Sequence, residues 1–332
     1  MNVQQRKSLL VQLGNYMAGN APAWQTAKEK ATAENPWFIP EFIELSVSNI
    51  VGQFLQPGVL DEMISRYRLT KEITLPKSIG IVMAGNIPLV GFHDLLCVFI
   101  SGQRARIKLS SRDAVLLTHL LGILNQWEAS ISDYMILNER IPACDAYIAT
   151  GSNNSARYFD YYFKKYPSII RKNRTSVAVL KGNETAADLE KLSDDVFLYF
   201  GLGCRNVTQL YVPENYDFVP LLDAFRKYKY LSDHNKYRNN YDYNLAVHIL
   251  NNEYYMTNQA IILVKDGSPF SRISELNYQF YSDAKPLLER LTSDPQIQCI
   301  AGTPEVPLGK TQCPGIFDFA DGVDTVKFLR EL

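Results

Sequence analysis

The sequence has no excess of charge of either sign. Its 332 residues include 34 Lys and Arg against 35 Asp and Glu, which gives a net charge of −1 at pH 7. A nearly neutral chain has no electrostatic basis for strong binding to the phosphates of nucleic acid or of an anionic membrane surface. We therefore expect no nucleic-acid partner.

A long apolar segment is also missing. No uninterrupted apolar run reaches the roughly 20 residues that a transmembrane helix requires, and residues 1–7 lead into an amphipathic helical pattern, unlike a signal peptide. We expect a cytoplasmic protein with no integral membrane segment. Since 46% of the residues are hydrophobic, a chain of this length can bury a large core, which we expect to be divided between two lobes.

Cysteine is scarce, and its spacing excludes two common uses. The five cysteines stand singly, without a CxxC pair: Cys97, Cys144, Cys204, Cys299 and Cys313. An odd number of widely separated cysteines argues against a disulfide framework and against a zinc site. We therefore predict no metal ion, and each thiol has to be considered by itself.

The GxGxxG fingerprint of dinucleotide-binding proteins is absent, although the alternation of a nucleotide-binding sheet is present. Residues 77–84, 102–111 and 145–149 are short β-rich segments, each followed by a turn and by a helical pattern. This alternation predicts an α/β fold with a doubly wound parallel sheet. Residues 1–70 have helical spacing and predict a helical N-terminal region packed on that sheet.

Polar residues follow each of these three predicted strands. They are Asn86, Lys108, Ser110, Thr150, Gly151 and Ser152. Ligands bind doubly wound sheets at the carboxyl ends of the strands, where a lysine can contact ribose or phosphate and a glycine-serine turn at a helix start can bind pyrophosphate. Taken singly, each segment is weak and favours a surface lysine or an ordinary turn. Together they predict dinucleotide binding.

One cysteine occupies a tight turn between a helical pattern and a β-rich run. The helical pattern consists of Leu189, Leu192, Val196 and Phe200, and Gly201 and Gly203 are expected to end it. Glycines beside a thiol leave room for a substrate to approach, so Cys204 is a candidate nucleophile. The alternative interpretation is a small residue packed at a crowded turn. Cys299 is expected in the core of a late strand.

Residues 169–180 predict a single strand that begins the second lobe, and the basic run within it is expected to be a solvated edge or, alternatively, a phosphate contact. The predicted organisation has four parts. They are a helical region of residues 1–70, a dinucleotide-binding domain of residues 71–170, a catalytic domain of residues 171–310 and a segment of residues 311–332 that returns to the first lobe.

The polar segments, in the order in which they occur along the chain, resemble motifs of the aldehyde dehydrogenase superfamily. Asn86-Ile87-Pro88-Leu89 is similar to the turn that carries its catalytic asparagine. Lys108-Leu109-Ser110 is similar to the lysine-proline-serine that holds the cofactor ribose, and Thr150-Gly151-Ser152 to its threonine-glycine-serine turn. Cys204 resembles the catalytic cysteine in its position between helix and strand. The resemblance covers about residues 75–332.

Within the superfamily, the chain most resembles the acyl-CoA reductase family that includes the fatty-acid reductase of bacterial bioluminescence. Residues 85–92, 169–174 and 321–326 carry this finer resemblance. It implies a cofactor domain, a catalytic domain whose cysteine faces the nicotinamide, and a homodimer. It also implies that the cysteine takes an acyl group from acyl-CoA or an acyl-carrier thioester, and that NADPH, or alternatively NADH, releases the aldehyde.

The chain departs from the oxidising dehydrogenases at one position. Their general-base glutamate precedes a glycine-glycine-lysine-serine stretch, and if residues 172–175 correspond to that stretch, the glutamate falls on Ile170. Without a carboxylate to activate water, the acyl-enzyme should persist until hydride or a thiol attacks. The resemblance therefore implies NAD(P)H-dependent reduction of an acyl thioester. The alternatives are a cysteine-dependent acyltransferase or thioesterase, and a non-catalytic assembly protein of the same shape.

A physical difficulty accompanies this assignment. Cys204 follows the carboxyl end of a helix, whose partial negative charge disfavours a thiolate. Arg205, the bound cofactor or nearby N–H groups are the candidates for stabilising that thiolate, and the sequence does not choose among them.

Overall fold

The computed structural model describes residues 1–70, 73 and 75–332. They form two compact units, which we call unit 1 (Met1–Asn173 with Pro314–Leu332) and unit 2 (Arg174–Cys313). The predicted division at residue 71 lies outside the described residues. The other two predicted divisions, after residues 170 and 310, lie within a few residues of the borders between the units. Which unit binds a cofactor and which carries the chemistry stays a prediction.

Unit 1 begins with four helices: α1 (Val3–Ala18), α2 (Pro22–Glu34), α3 (Pro40–Gln53) and α4 (Pro57–Arg66). Asn2 caps α1 in a capping box with Gln5. The other three helices start with proline, whose missing N–H has no partner to lose at this position. Their buried side chains, Trp24 and Leu60 among them, belong to the same hydrophobic core as the sheet that follows. The helical N-terminal region is confirmed.

A parallel five-stranded sheet forms the centre of unit 1. Its strands are β1 (Ser78–Val82), β2 (Arg104–Lys108), β3 (Met135–Leu137), β4 (Ala146–Thr150) and β5 (Ser168–Arg171). The helices between them are α5 (Phe92–Ile100), α6 (Val115–Trp127), α7 (Ile131–Tyr134) and α8 (Asn153–Phe163). The strand order is β3-β2-β1-β4-β5, and every pair is parallel. The chain therefore reverses its direction of winding between β1 and β4, as in a doubly wound sheet.

Unit 2 contains a six-stranded sheet of β6 (Thr175–Val179), β7 (Val207–Pro213), β8 (Tyr255–Thr257), β9 (Ile262–Lys265), β10 (Glu275–Tyr281) and β11 (Ile297–Ala301). Its α-helices are α9 (Ala186–Phe197), α10 (Val219–Ala224), α11 (Asn235–Leu250) and α12 (Ala284–Ser293). The strand order is β11-β6-β7-β10-β9-β8. β8 is antiparallel to its neighbour, and the other pairs are parallel.

The prediction of a single strand over residues 169–180 is wrong, because this segment forms two strands in different sheets. β5 pairs with β4 in unit 1, whereas β6 pairs with β7 and β11 in unit 2. Both strands are rich in β-branched residues and largely buried. The composition therefore does not reveal that the chain leaves one sheet and enters another at residues 172–174.

The chain returns to unit 1 with the helix α13 (Thr325–Arg330). Arg171 attaches this C-terminal segment to unit 1. It is 3% exposed, forms an ion pair with Asp94 at 2.5 Å, and donates to the carbonyl oxygen of Ala320 and to Thr325 Oγ1. The expectation that the basic run is a solvated edge is therefore wrong for Arg171, because a carboxylate on α5 compensates for burying its charge. In the part of the chain that the structure describes, no helix has the length and apolar character that a membrane crossing requires.

Candidate active site

The three polar segments that follow predicted strands lie at one edge of the sheet in unit 1. Val82, the last residue of β1, is in register with Lys108 of β2 and with Ala149 of β4. Because the strands are parallel and about 4.8 Å apart, their carboxyl ends meet at the same edge. That edge includes the position between β1 and β4 where ligands bind doubly wound sheets. The segments that begin at Asn86, Lys108 and Thr150 are therefore neighbours.

Two of these segments are packed tightly against each other. A Cβ atom added at Gly85 would lie 2.5 Å from Ser110 Oγ and 3.2 Å from the Cβ of Asp113. Since real Cβ atoms do not approach other atoms so closely, only glycine fits at position 85. The turn that contains Asn86 consequently rests directly on the loop that follows β2.

Asp113 fixes the far side of the Asn86 turn. Its Oδ2 accepts a hydrogen bond from the N–H of Leu89 at 2.8 Å, and Leu89 has a left-handed backbone with φ of 56°. Burial raises the pKa of Asp113 to about 8, although hydrogen bonds from the N–H groups of Leu89 and Val90 lower it. Oδ1 has no hydrogen-bond partner among the described residues. No local pattern in the sequence singles out this residue.

The third segment is a helix start. Ser152 caps α8 by accepting a hydrogen bond from the N–H of Ser155 at 3.3 Å. A Cβ atom on Gly151 would lie 2.8 Å from the Cβ of Ser155, so glycine allows the turn to close on the helix. Thr150 is the last residue of β4. Lys108 is the last residue of β2, and its side chain is exposed. Together, the exposed ammonium group and the open helix start offer what a dinucleotide's phosphates require, and this role stays a prediction.

In unit 2, the turn that carries Cys204 differs from the prediction. α9 ends at Phe197, before either glycine. Tyr199, Phe200 and Gly201 then adopt left-handed backbones in succession, with φ of 54°, 56° and 73°. For an L-residue this conformation costs roughly 1–2 kcal/mol. Both aromatic side chains are buried, and burial of their apolar surface offsets this cost.

Asn206 holds the end of α9 and the Cys204 turn together. Its side chain is fully buried. Nδ2 donates to the carbonyl oxygens of Leu198, Asp195 and Val196 at 2.8, 3.1 and 3.3 Å, and Oδ1 accepts from the N–H of Gly203 at 2.8 Å. The last carbonyl groups of a helix lack partners within the helix. Asn206 supplies that partner, a role that no local pattern in the sequence predicts.

Ser176 contacts the same turn from β6. Its hydroxyl donates to the carbonyl oxygen of Cys204 at 3.1 Å and lies 3.0 Å from the Sγ of Cys299. The pairing of β6 shifts register beside Ser176 on both sides, with β11 and with β7. Such bulges redirect side chains and are common next to active sites. Here they allow one buried hydroxyl to contact two cysteine residues.

Cys299 is half-buried, so the expectation that it is a core residue is wrong. It lies on β11 as predicted. Burial raises the pKa of its thiol, and the hydrogen bond to Ser176 and the guanidinium charge of Arg205 lower it. The side chain of Arg205, the residue after Cys204, therefore lies close to the thiol of Cys299. All five cysteines are thiols outside any disulfide.

A buried carboxyl group supports the helix that precedes the turn. Asp195 accepts hydrogen bonds from the N–H of Gly309 at 2.6 Å and from the N–H and hydroxyl of Thr311 at 3.0 and 2.7 Å. Burial raises the pKa of Asp195 to about 6, although these hydrogen bonds lower it. The end of α9 is therefore fixed to residues 309–311 as well as to Asn206.

Two histidines, one in each unit, have structural partners. His93 lies 2.8 Å from the carbonyl oxygen of Ile316 through Nε2, and His248 lies between the carboxyl groups of Glu253 and Glu275. Within the described ranges, no group of three His, Cys, Asp or Glu side chains is arranged to hold a metal ion.

Among known proteins, this chain resembles solved structures in its fold. No family model matches the chain, and no curated protein sequence matches it. Among solved structures, an oxidoreductase from Marinobacter aquaeolei aligns over 96% of this chain and 85% of its own, with a TM-score of 0.66 and 10% identity. An NAD-dependent aldehyde dehydrogenase from Sinorhizobium meliloti aligns over 93% and 77%, with a TM-score of 0.64 and 11% identity.

A third structure, an aldehyde dehydrogenase from Mycobacterium tuberculosis complexed with NAD+, aligns over 87% of this chain and 70% of its own, with a TM-score of 0.62 and 13% identity. The chain therefore has the aldehyde dehydrogenase fold. At identities this low the likeness establishes the fold alone. The finer resemblance to acyl-CoA reductases stays a prediction, as do the roles of the site residues.

Proposed function

We propose that this protein is a nicotinamide-dependent oxidoreductase that reduces an acyl thioester to an aldehyde through an acyl group bound to Cys204. One observation carries the proposal. In an aldehyde dehydrogenase fold, the turn that carries Cys204 directly follows three successive residues with left-handed backbones. The buried side chains of Asn206 and Ser176 hold this turn in place. Backbone strain of this kind concentrates at functional sites, which disfavours the interpretation of a small residue merely packed at a turn.

A nicotinamide dinucleotide is the cofactor that the site in unit 1 supports. Two structures of the same fold are described as NAD-dependent or complexed with NAD+. Lys108 and Ser110 at the end of β2 would hold the ribose, and the Thr150–Ser152 turn at the start of α8 would hold the pyrophosphate. When bound, the reduced cofactor supplies a hydride. We propose NADPH, from the resemblance to acyl-CoA reductases.

Acylation is the step for which the protein supplies the reacting group. The Cys204 thiolate attacks the thioester carbonyl, and the C–S bond to the leaving thiolate of CoA or a carrier breaks. The Cys204 N–H is the proposed donor to the oxyanion of the tetrahedral intermediate, and the resemblance adds the Asn86 side-chain amide as a second donor. One such donor is typically worth about 3 kcal/mol. The product is an acyl thioester on Cys204.

Reduction of this thioester rather than its hydrolysis follows from the residue at position 170. Ile170 is half-buried on β5 and has no carboxylate to remove a proton from water. Hydride from a bound cofactor would add to the acyl carbon, and the C–S bond to Cys204 would then break to release the aldehyde and the Cys204 thiolate. Overall, one hydride and one proton convert the thioester into an aldehyde and a free thiol.

The test is to incubate the protein with a panel of acyl-CoAs and NADPH, following NADPH absorbance and the mass of the protein. We expect acylation of Cys204 and NADPH oxidation with at least one chain length. Cys204→Ala should abolish both, whereas Cys313→Ala, which removes another half-buried thiol of unit 2, should retain both. Asn86→Ala should slow acylation about a hundredfold.

The alternatives give different results in the same experiment. Acylation of Cys204 with no NADPH oxidation at any chain length would contradict the reductase and indicate an acyltransferase or thioesterase. Absence of both, with Cys204→Ala unchanged in every property, would indicate a non-catalytic assembly protein.

A further inference from the structure

Building on the proposed function, we propose that Asn206 is a positioning residue that makes Cys204 reactive. Its side-chain amide offsets the negative end of α9 and joins that end to the N–H of Gly203, the residue before Cys204. Its backbone N–H polarises the peptide group that stabilises the oxyanion. Two sets of hydrogen bonds carry the two parts of this inference.

The first set concerns the helix end. The carboxyl end of a helix carries a partial charge equivalent to roughly −0.5, which disfavours a thiolate located just beyond it. The charge resides on the carbonyl groups that lack helical partners. Three carbonyl oxygens at the end of α9, of Asp195, Val196 and Leu198, accept from Asn206 Nδ2. The positive end of the amide dipole therefore lies against the group that would otherwise oppose ionisation of Cys204.

The second set concerns the peptide group between Gly203 and Cys204. The N–H of Asn206 donates to the carbonyl oxygen of Gly203 at 3.1 Å. That carbonyl belongs to the same peptide group as the N–H of Cys204, which is the proposed oxyanion donor. Hydrogen bonds in series polarise one another, so the bond from Asn206 strengthens the Cys204 N–H as a donor.

Other contacts keep Asn206 from moving. Its carbonyl oxygen accepts from the N–H of Ser176 on β6 at 3.1 Å, and its Oδ1 accepts from the N–H of Gly203. The residue is thus anchored to the sheet on one side and to the turn on the other. A buried asparagine that served only as a cap would make the first set of contacts, whereas this one also bonds to both peptide groups of Gly203.

The reactivity of the thiol tests the inference without substrate or cofactor. In Asn206→Asp, the carboxylate still accepts from Gly203 but no longer donates to the helix carbonyls. Alkylation of Cys204 by iodoacetamide is followed by peptide mass spectrometry across the pH range in which thiols titrate. We expect the titration to move to higher pH, with alkylation at neutral pH slowed by about tenfold or more, since one pKa unit is a tenfold change in thiolate.

The matched control is Asn244→Asp. Asn244 is also a buried asparagine of unit 2 and donates to a backbone carbonyl, that of Ile273, at 2.9 Å. This change introduces the same carboxylate at another buried site, and its alkylation profile should match that of the unchanged protein. Asn206→Ala is a second variant that adds no buried charge and keeps the backbone N–H. It should shift the titration but retain acylation by acyl-CoA once Cys204 is ionised.

The outcomes separate this inference from the proposed function. If folded Asn206 variants alkylate with the profile of the Asn244→Asp control, Asn206 does not act on the thiol and the inference is wrong. If reactivity falls only in parallel with the fraction of folded protein in both Asn206 variants, the role is purely structural and the inference is again wrong. If acyl-CoA never acylates the unchanged protein, the proposed function fails, and the alkylation profiles still decide what Asn206 does.

Discussion

Two turns carry the proposed chemistry, one in each unit, and a buried side chain with a similar shape holds each of them. In unit 1, Asp113 accepts from the N–H of Leu89 and leaves its other oxygen without a hydrogen-bond partner among the described residues. In unit 2, Asn206 uses both ends of its amide, donating to carbonyl groups and accepting from the N–H of Gly203. The carboxyl group can gain or lose a proton, whereas the amide cannot. The two turns should therefore respond differently to pH.

The largest effect that this comparison predicts is on how the free energy of unfolding depends on pH. Burial raises the pKa of Asp113 to about 8 in the folded protein, against about 3.9 for an unperturbed aspartate. Between these values the folded state holds a proton that the unfolded state has released. The contribution of Asp113 is therefore fully present below about pH 4, and stability falls by up to several kcal/mol as pH rises to about 8.

Urea unfolding at several pH values checks this prediction. Asp113→Asn removes the titration, so the free energy of unfolding should depend less steeply on pH in that window. Asp160→Asn, a change at an exposed carboxylate, should leave the dependence unchanged. Equal slopes for the unchanged protein and Asp113→Asn would show that the carboxyl group of Asp113 is ionised and that the contrast between the two turns is wrong.

The next effect concerns packing beneath the Asn86 turn. Gly85→Ala would bring a methyl group within 2.6 Å of the Cβ of Ser110, so we expect a loss of about 1–3 kcal/mol in the free energy of unfolding. Gly122→Ala is the control, because Gly122 lies in α6 with no atom near its Cβ position. It should stabilise the protein by up to about 1 kcal/mol. Denaturant unfolding at one pH measures both changes. If Gly85→Ala has the same free energy of unfolding as the unchanged protein, the turn does not rest on Ser110.

The smallest effect concerns the second support of the Cys204 turn. Ser176→Ala removes the hydroxyl that donates to the carbonyl oxygen of Cys204 while preserving volume. We expect a loss of about 1 kcal/mol in the free energy of unfolding. Because the change also removes a hydrogen bond to Cys299, alkylation of Cys299 should change more than that of Cys204. Faster alkylation of Cys204 alone would give Ser176 a direct role at the nucleophile.

The sequence was sufficient for the parts that depend on alternation. Short β-rich segments separated by helices have one common solution, the parallel doubly wound sheet, and the carboxyl ends of its strands must share an edge. The proximity of Asn86, Lys108 and Thr150 follows from this topology without knowledge of any side-chain contact. This is why three weak segments were informative in combination.

The supporting side chains could not be predicted for a physical reason. Asn206 is needed because α9 ends at Phe197, and the helix ends there because two aromatic residues adopt left-handed backbones that propensity rules assign to glycine or asparagine. Asp113 acts on Leu89, 24 residues earlier in the chain. Both contacts depend on how separate segments pack, and neither leaves a local pattern in the sequence.

The most direct test of the central claim is to supply an acyl-CoA together with NADPH that carries deuterium at the hydride position. We expect an aldehyde with deuterium on its carbonyl carbon, formed through an acyl group that mass spectrometry detects on Cys204, and neither product with Cys204→Ala. Release of the free acid with no deuterium transfer, or transfer that survives Cys204→Ala, would contradict it.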